Sequence, residues 1–191
     1  MIENLSSKLA IRLLNKIQAD DYNIQYEILE YGIECIINMF IPIIIYIAFA
    51  VYIKVLPQML IWLFIFLFYR NLIGGYHANS HTKCIFFSSL YGLAAINSIQ
   101  LLSCTNLSSK IIILFLLILI HIFVKPIIHH PEDDSPVYIR KCRIKIYIFI
   151  VTSCVLILLF NNTIPSISSA IFTGIISAEI LYVIARFKQG K

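Results

Sequence analysis

Six long apolar runs, separated by short polar segments, constrain what this chain can fold into. The runs are Cys35–Ile53, Val55–Tyr69, Cys84–Leu102, Ile111–Ile128, Ile144–Phe160 and Ile167–Ala185. An α-helix needs about 20 apolar residues to cross a bilayer, with a usual range of about 17–25. We therefore predict an all-α integral membrane protein with about six transmembrane or partly re-entrant helices. The second run is short for a full crossing, unless its helix continues into the polar stretch that follows.

The composition supports a single membrane-embedded domain over residues 1–191. Hydrophobic residues make up 60% of the chain and charged residues 13%, whereas a soluble domain carries about 25% charged residues. The five cysteines are odd in number and their spacing suggests no disulfide framework, so we expect reduced thiols. The net charge of +5 is accompanied by no nucleic-acid-binding motif, so we predict no nucleic-acid partner.

The N-terminal segment, residues 1–21, has the periodicity of an amphipathic helix. Leucine or isoleucine recurs every four residues at positions 5, 9, 13 and 17, and basic residues fall on other faces. This pattern is typical of a basic helix that lies on an anionic membrane surface. A helix that packs on the rest of the protein would show the same periodicity, so both interpretations stay open. The apolar residues are spaced rather than continuous, so we predict no signal peptide.

The distribution of lysine and arginine predicts the orientation. With six spans, both termini lie on one side, and only Lys54 and Lys110 of the 15 basic residues fall on the other. Cytoplasmic connections carry the excess of positive charge. We therefore predict cytoplasmic termini and a segment Arg70–Cys84 at the cytoplasmic interface.

The segment Arg70–Cys84, RNLIGGYHANSHTKC, combines side chains that could support catalysis. A thiolate is the reactive form of cysteine, and a histidine within hydrogen-bond reach can activate the thiol and later protonate a leaving amine. On a continuous helix His77 and Cys84 would stand about 10.5 Å apart along the axis. Cooperation between them therefore requires the backbone to bend, which the Gly, Asn and Ser content of the segment permits.

Two alternatives for this segment stay open from the residue types alone. His81 is three residues from Cys84 and would suit a helical neighbour. His77, His81 and Cys84 could also supply three ligands of a zinc site, although no convincing fourth ligand exists and the spacing differs from common zinc patterns. We predict no metal and no cofactor. A non-catalytic binding or transport protein is the other alternative, but it would need a polar path through the helices.

Arg70, Gly75, His77, Ala78 and Cys84 resemble the signature of the accessory gene regulator B (AgrB) family, in which an Arg precedes Gly-x-His-Ala and a Cys seven residues after the His. The length, the amphipathic N-terminus and the Pro-rich, basic loop over residues 125–145 are also similar to that family. The resemblance implies a membrane cysteine endopeptidase in a bacterial, Gram-positive cell membrane, with its active site on the cytoplasmic side.

The resemblance also implies a reaction. Members of the family cleave a precursor peptide, AgrD, through an acyl-enzyme thioester, and a residue in the peptide core then closes a thiolactone or lactone ring to give a quorum-sensing signal. Carried onto this chain, Cys84 is the nucleophile and His77 the general base and acid. The implied partners are an AgrD-like peptide and membrane lipid.

Further residues are candidates for supporting roles. Arg70 could hold a substrate carboxylate or stabilise the Cys84 thiolate, and Gly75 belongs to the motif. Glu34 and Glu179 lie near or inside apolar runs, where acids are costly and suggest a partner or a site. Either acid could orient His77 as a third member, or form a structural pair with a basic residue such as Arg70.

A basic group after the prolines could attract an acidic peptide tail. Its members are Arg140, Lys141, Arg143 and Lys145. The same charges also serve as a topology signal. The polar site and the short second span fit a homodimer, which we expect.

Overall fold

A computed structural model describes residues 2–17, 22–74, 80–124 and 135–189. These ranges contain α-helices and no strand. The helices are α1 (Ile2–Ile17), α2 (Tyr22–Tyr52), α3 (Leu56–Ile73), α4 (His81–Leu102), α5 (Leu107–Phe123), α6 (Pro136–Asn161) and α7 (Pro165–Gln189).

Each predicted apolar run overlaps one helix, and the runs that predicted α2, α3 and α5 extend beyond the ends of those helices. Among the described residues, five helices are long and apolar enough to cross a membrane. These five are α2, α3, α4, α6 and α7. The chain is therefore a multi-pass membrane protein. The short helix is α5, with 17 residues, and not α3, because α3 continues past Arg70 to Ile73. α5 ends at Phe123, and its C-cap residue Val124 is extended. In the sequence Pro126 follows two residues later, a common position for a proline after a helix C-cap.

The helix α6 begins earlier than the apolar run that predicted it. The hydroxyl of Ser135 accepts a hydrogen bond from the backbone N–H of Tyr138 at 3.2 Å, and Pro136 occupies the first helical position. Both are favourable at a helix N-terminus, since proline has no N–H to leave unpaired and serine satisfies an N–H that has no helical acceptor. The basic residues 140–145, expected in a loop, therefore lie on the first turns of α6.

The chain divides into two compact units. The first comprises residues 1–49 and 78–92, and the second comprises residues 50–77 and 93–191. In the first unit, α1 buries Ser6, Ala10 and Leu14, while Leu9 and Leu13 stay exposed. The packed face of α1 thus lies beside the predicted leucine stripe, of which Leu9 and Leu13 are exposed.

In the second unit, α7 is the most buried of the long helices. Gln58 near the start of α3 donates to Ser166 at 3.3 Å, and Tyr69 near its end donates to Glu179. The two contacts follow the same order along both helices, so α3 and α7 run parallel. Small residues on α7 permit close packing of helices: a Cβ at Gly174 would lie only 3.1 Å from the backbone oxygen of Trp62.

The helices α5 and α6 complete the second unit. Lys110 contacts Ser169 and His121 contacts Glu179, so α5 also runs parallel to α7. Lys110, at the start of α5, contacts Asn161 at the end of α6, so α6 runs in the opposite direction. The ends of α3 and α5 and the C-terminal half of α7 therefore lie at one end of this unit, together with the N-terminal half of α6.

Candidate functional site

The first described part of the site is the C-terminal end of α3. Gly74 terminates the helix with φ 77° and ψ −179°, and its N–H donates to the carbonyl oxygen of Arg70 at 2.9 Å. This region of backbone space is essentially confined to glycine. Arg70, in the last turn, is half-buried, and its guanidinium lies 5.9 Å from the centre of the Phe66 ring. The helix α3 therefore ends at a position that only glycine occupies without strain, one residue before Gly75 of the motif.

The second described part is the N-terminal end of α4, which carries Cys84. Ser80 caps this helix: its hydroxyl accepts from the N–H of Lys83 at 3.4 Å, and its carbonyl oxygen accepts from the N–H of Cys84 at 2.9 Å. Cys84 is half-buried and carries a free thiol. A negative charge in the first turn of a helix interacts favourably with the helix dipole. The fold thus offers the thiol of Cys84 a position that suits an anion.

His77 and Gly75 lie outside the described residues, as does the bend expected between His77 and Cys84. The helix that carries Cys84 begins at His81, so His77 and Cys84 do not share one continuous helix. The axial separation of an ideal helix therefore does not apply to this pair. Among the residues that the structure describes, no group of three or more metal-binding side chains lies close together; the three residues of the zinc alternative include His77 and are not tested by this.

Glu34 lies on α2 in the first unit and is 9% exposed. Its Oε1 atom accepts a hydrogen bond from the hydroxyl of Ser6 at 3.1 Å, which joins α1 to α2. Cys84 belongs to the same compact unit. The role of Glu34 in orienting His77 remains a prediction.

Glu179 lies on α7 in the second unit, where it contacts His121 and Tyr69. Nε2 of His121 lies 2.7 Å from Oε1 of Glu179, and the Tyr69 hydroxyl donates to the same oxygen. The structure pairs Glu179 with a histidine of α5, whereas the sequence suggested Arg70 as a possible partner. Sequence reasoning did not single out His121, although a histidine inside an apolar run is costly in lipid and signals a partner.

The four basic residues expected to meet the substrate lie on α6. Arg140, Lys141 and Lys145 are exposed. Arg143 is half-buried, and its Nε atom is buried with no hydrogen-bond partner among the described residues. Three of the four charges therefore remain open to a ligand, and substrate binding by this group stays a prediction.

Comparison with protein families finds a match to the family described as Accessory gene regulator B over residues 3–184. No curated protein and no solved structure matches the chain significantly. The family match spans α1 to α7 and includes all four basic residues of α6, Glu34, Glu179 and the segment Arg70–Cys84.

Proposed function

The chain belongs to the accessory gene regulator B family, which acts in agr quorum sensing and is associated with the processing of the AgrD precursor peptide, and we propose that it is the cysteine endopeptidase of such a system. The observation that carries this proposal is the position of Cys84. It lies in the first turn of a capped membrane helix, four residues after Ser80, within the segment that carries the family signature.

In the proposed reaction, Cys84 Sγ attacks the carbonyl carbon at the end of the peptide core. His77 takes the thiol proton and returns it to the amine of the departing tail as the C–N bond breaks. The core is then held as a thioester. A thiol or hydroxyl within the core attacks that thioester, closes the ring and releases Cys84 as a thiol. When a core thiol replaces Cys84, one thioester is exchanged for another, so little free energy is lost. Water would hydrolyse the same thioester irreversibly, and the site must therefore exclude water.

The tetrahedral intermediates carry a negative oxygen that needs hydrogen-bond donors. The N–H of Cys84 already donates to Ser80, and that of Lys83 donates to the Ser80 hydroxyl. In an α-helix the N–H groups of the first turn have no intrahelical acceptor. We therefore assign this role to the backbone N–H groups of His81 and Thr82, at the start of α4.

The remaining candidates take supporting roles in the same proposal. Glu34 orients His77, as the third member of a catalytic triad does. Arg70, at the end of α3, holds a substrate carboxylate through a charge-assisted pair. The exposed Arg140, Lys141 and Lys145, with Arg143, attract the acidic tail to the cytoplasmic side of the membrane.

Co-expression with an AgrD-like precursor, followed by intact mass analysis of peptide and enzyme, tests this function. We expect tail release and a peptide adduct on the enzyme, both lost in Cys84→Ala, and loss of tail release in His77→Ala. Cys104→Ala is the matched control, since Cys104 is an exposed free cysteine in the α4–α5 turn. Tail release by a membrane-inserted Cys84→Ala chain would exclude the proposed mechanism.

A further inference from the structure

The residue immediately before Arg70 belongs to a buried polar network that the proposed reaction does not use. Tyr69 of α3, His121 of α5 and Glu179 of α7 are 0%, 0% and 5% exposed. His121 Nε2 lies 2.7 Å from Glu179 Oε1 and 3.2 Å from the Tyr69 hydroxyl, which itself donates to Glu179. Tyr69 and His121 therefore both contact the same carboxylate oxygen, which accepts the proton of Nε2 when Glu179 is ionised.

The polar groups of this network have few alternative hydrogen-bond partners inside the helix bundle. A carboxylate and an imidazole inside an apolar bundle are costly unless they meet each other or another polar group. The Tyr69 ring is also stacked against Phe149 of α6, with ring centres 5.3 Å apart. Tyr69, one residue before the last turn of α3, is therefore in contact with α5, α6 and α7.

The network lies next to the point where the chain leaves α3. Gly74 is five residues beyond Tyr69, about 7.5 Å along a helix, and its N–H bond to the Arg70 carbonyl continues the helical pattern to that exit. A displacement of Tyr69 would be transmitted to the end of α3 and to the backbone that leads to His77. Misplacement of a catalytic group by about 1 Å can cost about 100-fold in rate.

We propose that Tyr69, His121 and Glu179 are positioning residues that fix the exit of α3 and thereby set the rate of acyl transfer rather than substrate affinity. This inference rests on the proposed function. In this proposal the three residues make no contact with the substrate or the reacting atoms; they act through the backbone that leads from the end of α3 to His77.

A second buried polar cluster offers a matched control on the same helices. Lys110 of α5 contacts Ser169 of α7 at 3.0 Å, about 16 Å along these helices from the network. Loss of this contact should weaken the bundle without moving the end of α3. Ser169→Ala therefore separates a loss of stability from a loss of positioning.

The test compares full-length chains in lipid nanodiscs: wild type, Glu179→Ala, Glu179→Gln, Tyr69→Phe and Ser169→Ala. Cleavage of a synthetic AgrD-like precursor gives kcat and KM, and thermal unfolding gives stability.

We expect kcat to fall about 10- to 100-fold in Glu179→Ala with KM within about twofold. Glu179→Gln should recover part of kcat, because its amide oxygen still accepts a hydrogen bond. Ser169→Ala should lose stability and keep kcat. A Glu179→Ala chain that loses only stability, or whose KM and kcat change together, overturns the proposal.

A second readout needs no substrate. In chains whose other four cysteines are alanine, N-ethylmaleimide measures the reactivity of Cys84. We expect the alkylation rate to fall in Glu179→Ala and Tyr69→Phe and to stay unchanged in Ser169→Ala; equal rates in all chains overturn the positioning role. If wild type fails to cleave but the alkylation rates differ as expected, the proposed peptidase function fails and the positioning of the segment stands.

Discussion

The ammonium nitrogen of Lys110 lies 3.0 Å from the hydroxyl oxygen of Ser169, in the interior of the second unit. It also donates to Asn161 at 3.3 Å and to Ser168 at 3.4 Å, and the residue is 1% exposed. These three acceptors are neutral oxygens. They replace the water that an ammonium group would otherwise bind, and they join the start of α5 to the end of α6 and the start of α7.

Ser169→Ala should lower the free energy of unfolding by about 1 kcal/mol, because a buried cation loses an acceptor. In a Lys110→Met background the same serine change should cost almost nothing, since no ammonium group remains to be satisfied. Unfolding of the four chains in mixed micelles gives the coupling free energy directly. Equal costs of Ser169→Ala in both backgrounds would show that the serine acts independently of Lys110.

Gly174→Ala tests the close approach of α7 to α3. A Cβ at Gly174 would lie 2.7 Å from Cγ2 of Ile65 and 3.1 Å from the backbone oxygen of Trp62, which cannot rotate away. We expect a loss of about 1–3 kcal/mol from overpacking. Gly32→Ala is the control, because nothing lies within 4 Å of the added Cβ; its effect should be neutral or stabilising by up to about 1 kcal/mol. Equal unfolding temperatures for Gly174→Ala and Gly32→Ala would contradict the close approach of α7 to α3.

The helices were predictable from the sequence because lipid imposes a length and an apolar composition on every span. Their ends were less so. α3 continues past the polar Arg70 and ends only at Gly74, whose positive φ favours glycine. α6 begins before its apolar run because Ser135 and Pro136 form a favourable helix N-terminus. Such ends depend on local caps, which hydrophobic runs do not reveal.

The site was predictable to a different extent for each residue. Cys84 stood out because its motif is local in sequence. Glu179 could be singled out because an acidic residue inside an apolar run is costly in lipid. Its partners His121 and Tyr69 lie 58 and 110 residues away in the chain. Such pairings follow from helix packing and not from spacing along the sequence, so no periodicity could have named them.

Ser80→Ala should reduce peptide cleavage because it destabilises the first turn of α4, which carries Cys84. The change leaves the N–H of Lys83 without the hydroxyl that it now contacts at 3.4 Å, and loss of an N-cap costs about 1 kcal/mol. A cost of that size would open the first turn about fivefold more often, so we expect kcat to fall by at most that factor. Ser80→Asp keeps an acceptor and should stay near wild type. Hydrogen exchange at the Cys84 amide checks the cause, since it should quicken only in Ser80→Ala.

Gly74→Ala should impair the proposed cleavage more strongly than the small volume of the added methyl group suggests. With φ 77° and ψ −179°, an alanine is strained by about 1–3 kcal/mol, whatever space surrounds it. The backbone would relieve this strain by moving the exit of α3, which leads towards His77. We expect a large loss of cleavage in an inserted chain, measured as tail release. Full cleavage would mean that the exit of α3 tolerates a different conformation.

Removal of metal ions distinguishes a thiol peptidase from a zinc enzyme built on His77, His81 and Cys84. A zinc-bound thiolate would be shielded from alkylation, and a chelator would abolish activity while it exposes the thiol. In the proposed mechanism Cys84 acts as a free nucleophile, so a chelator should change neither the cleavage rate nor the alkylation rate. N-ethylmaleimide should abolish cleavage in proportion to its incorporation at Cys84. Chelator-sensitive cleavage that stoichiometric zinc restores would instead assign these three residues to a metal centre.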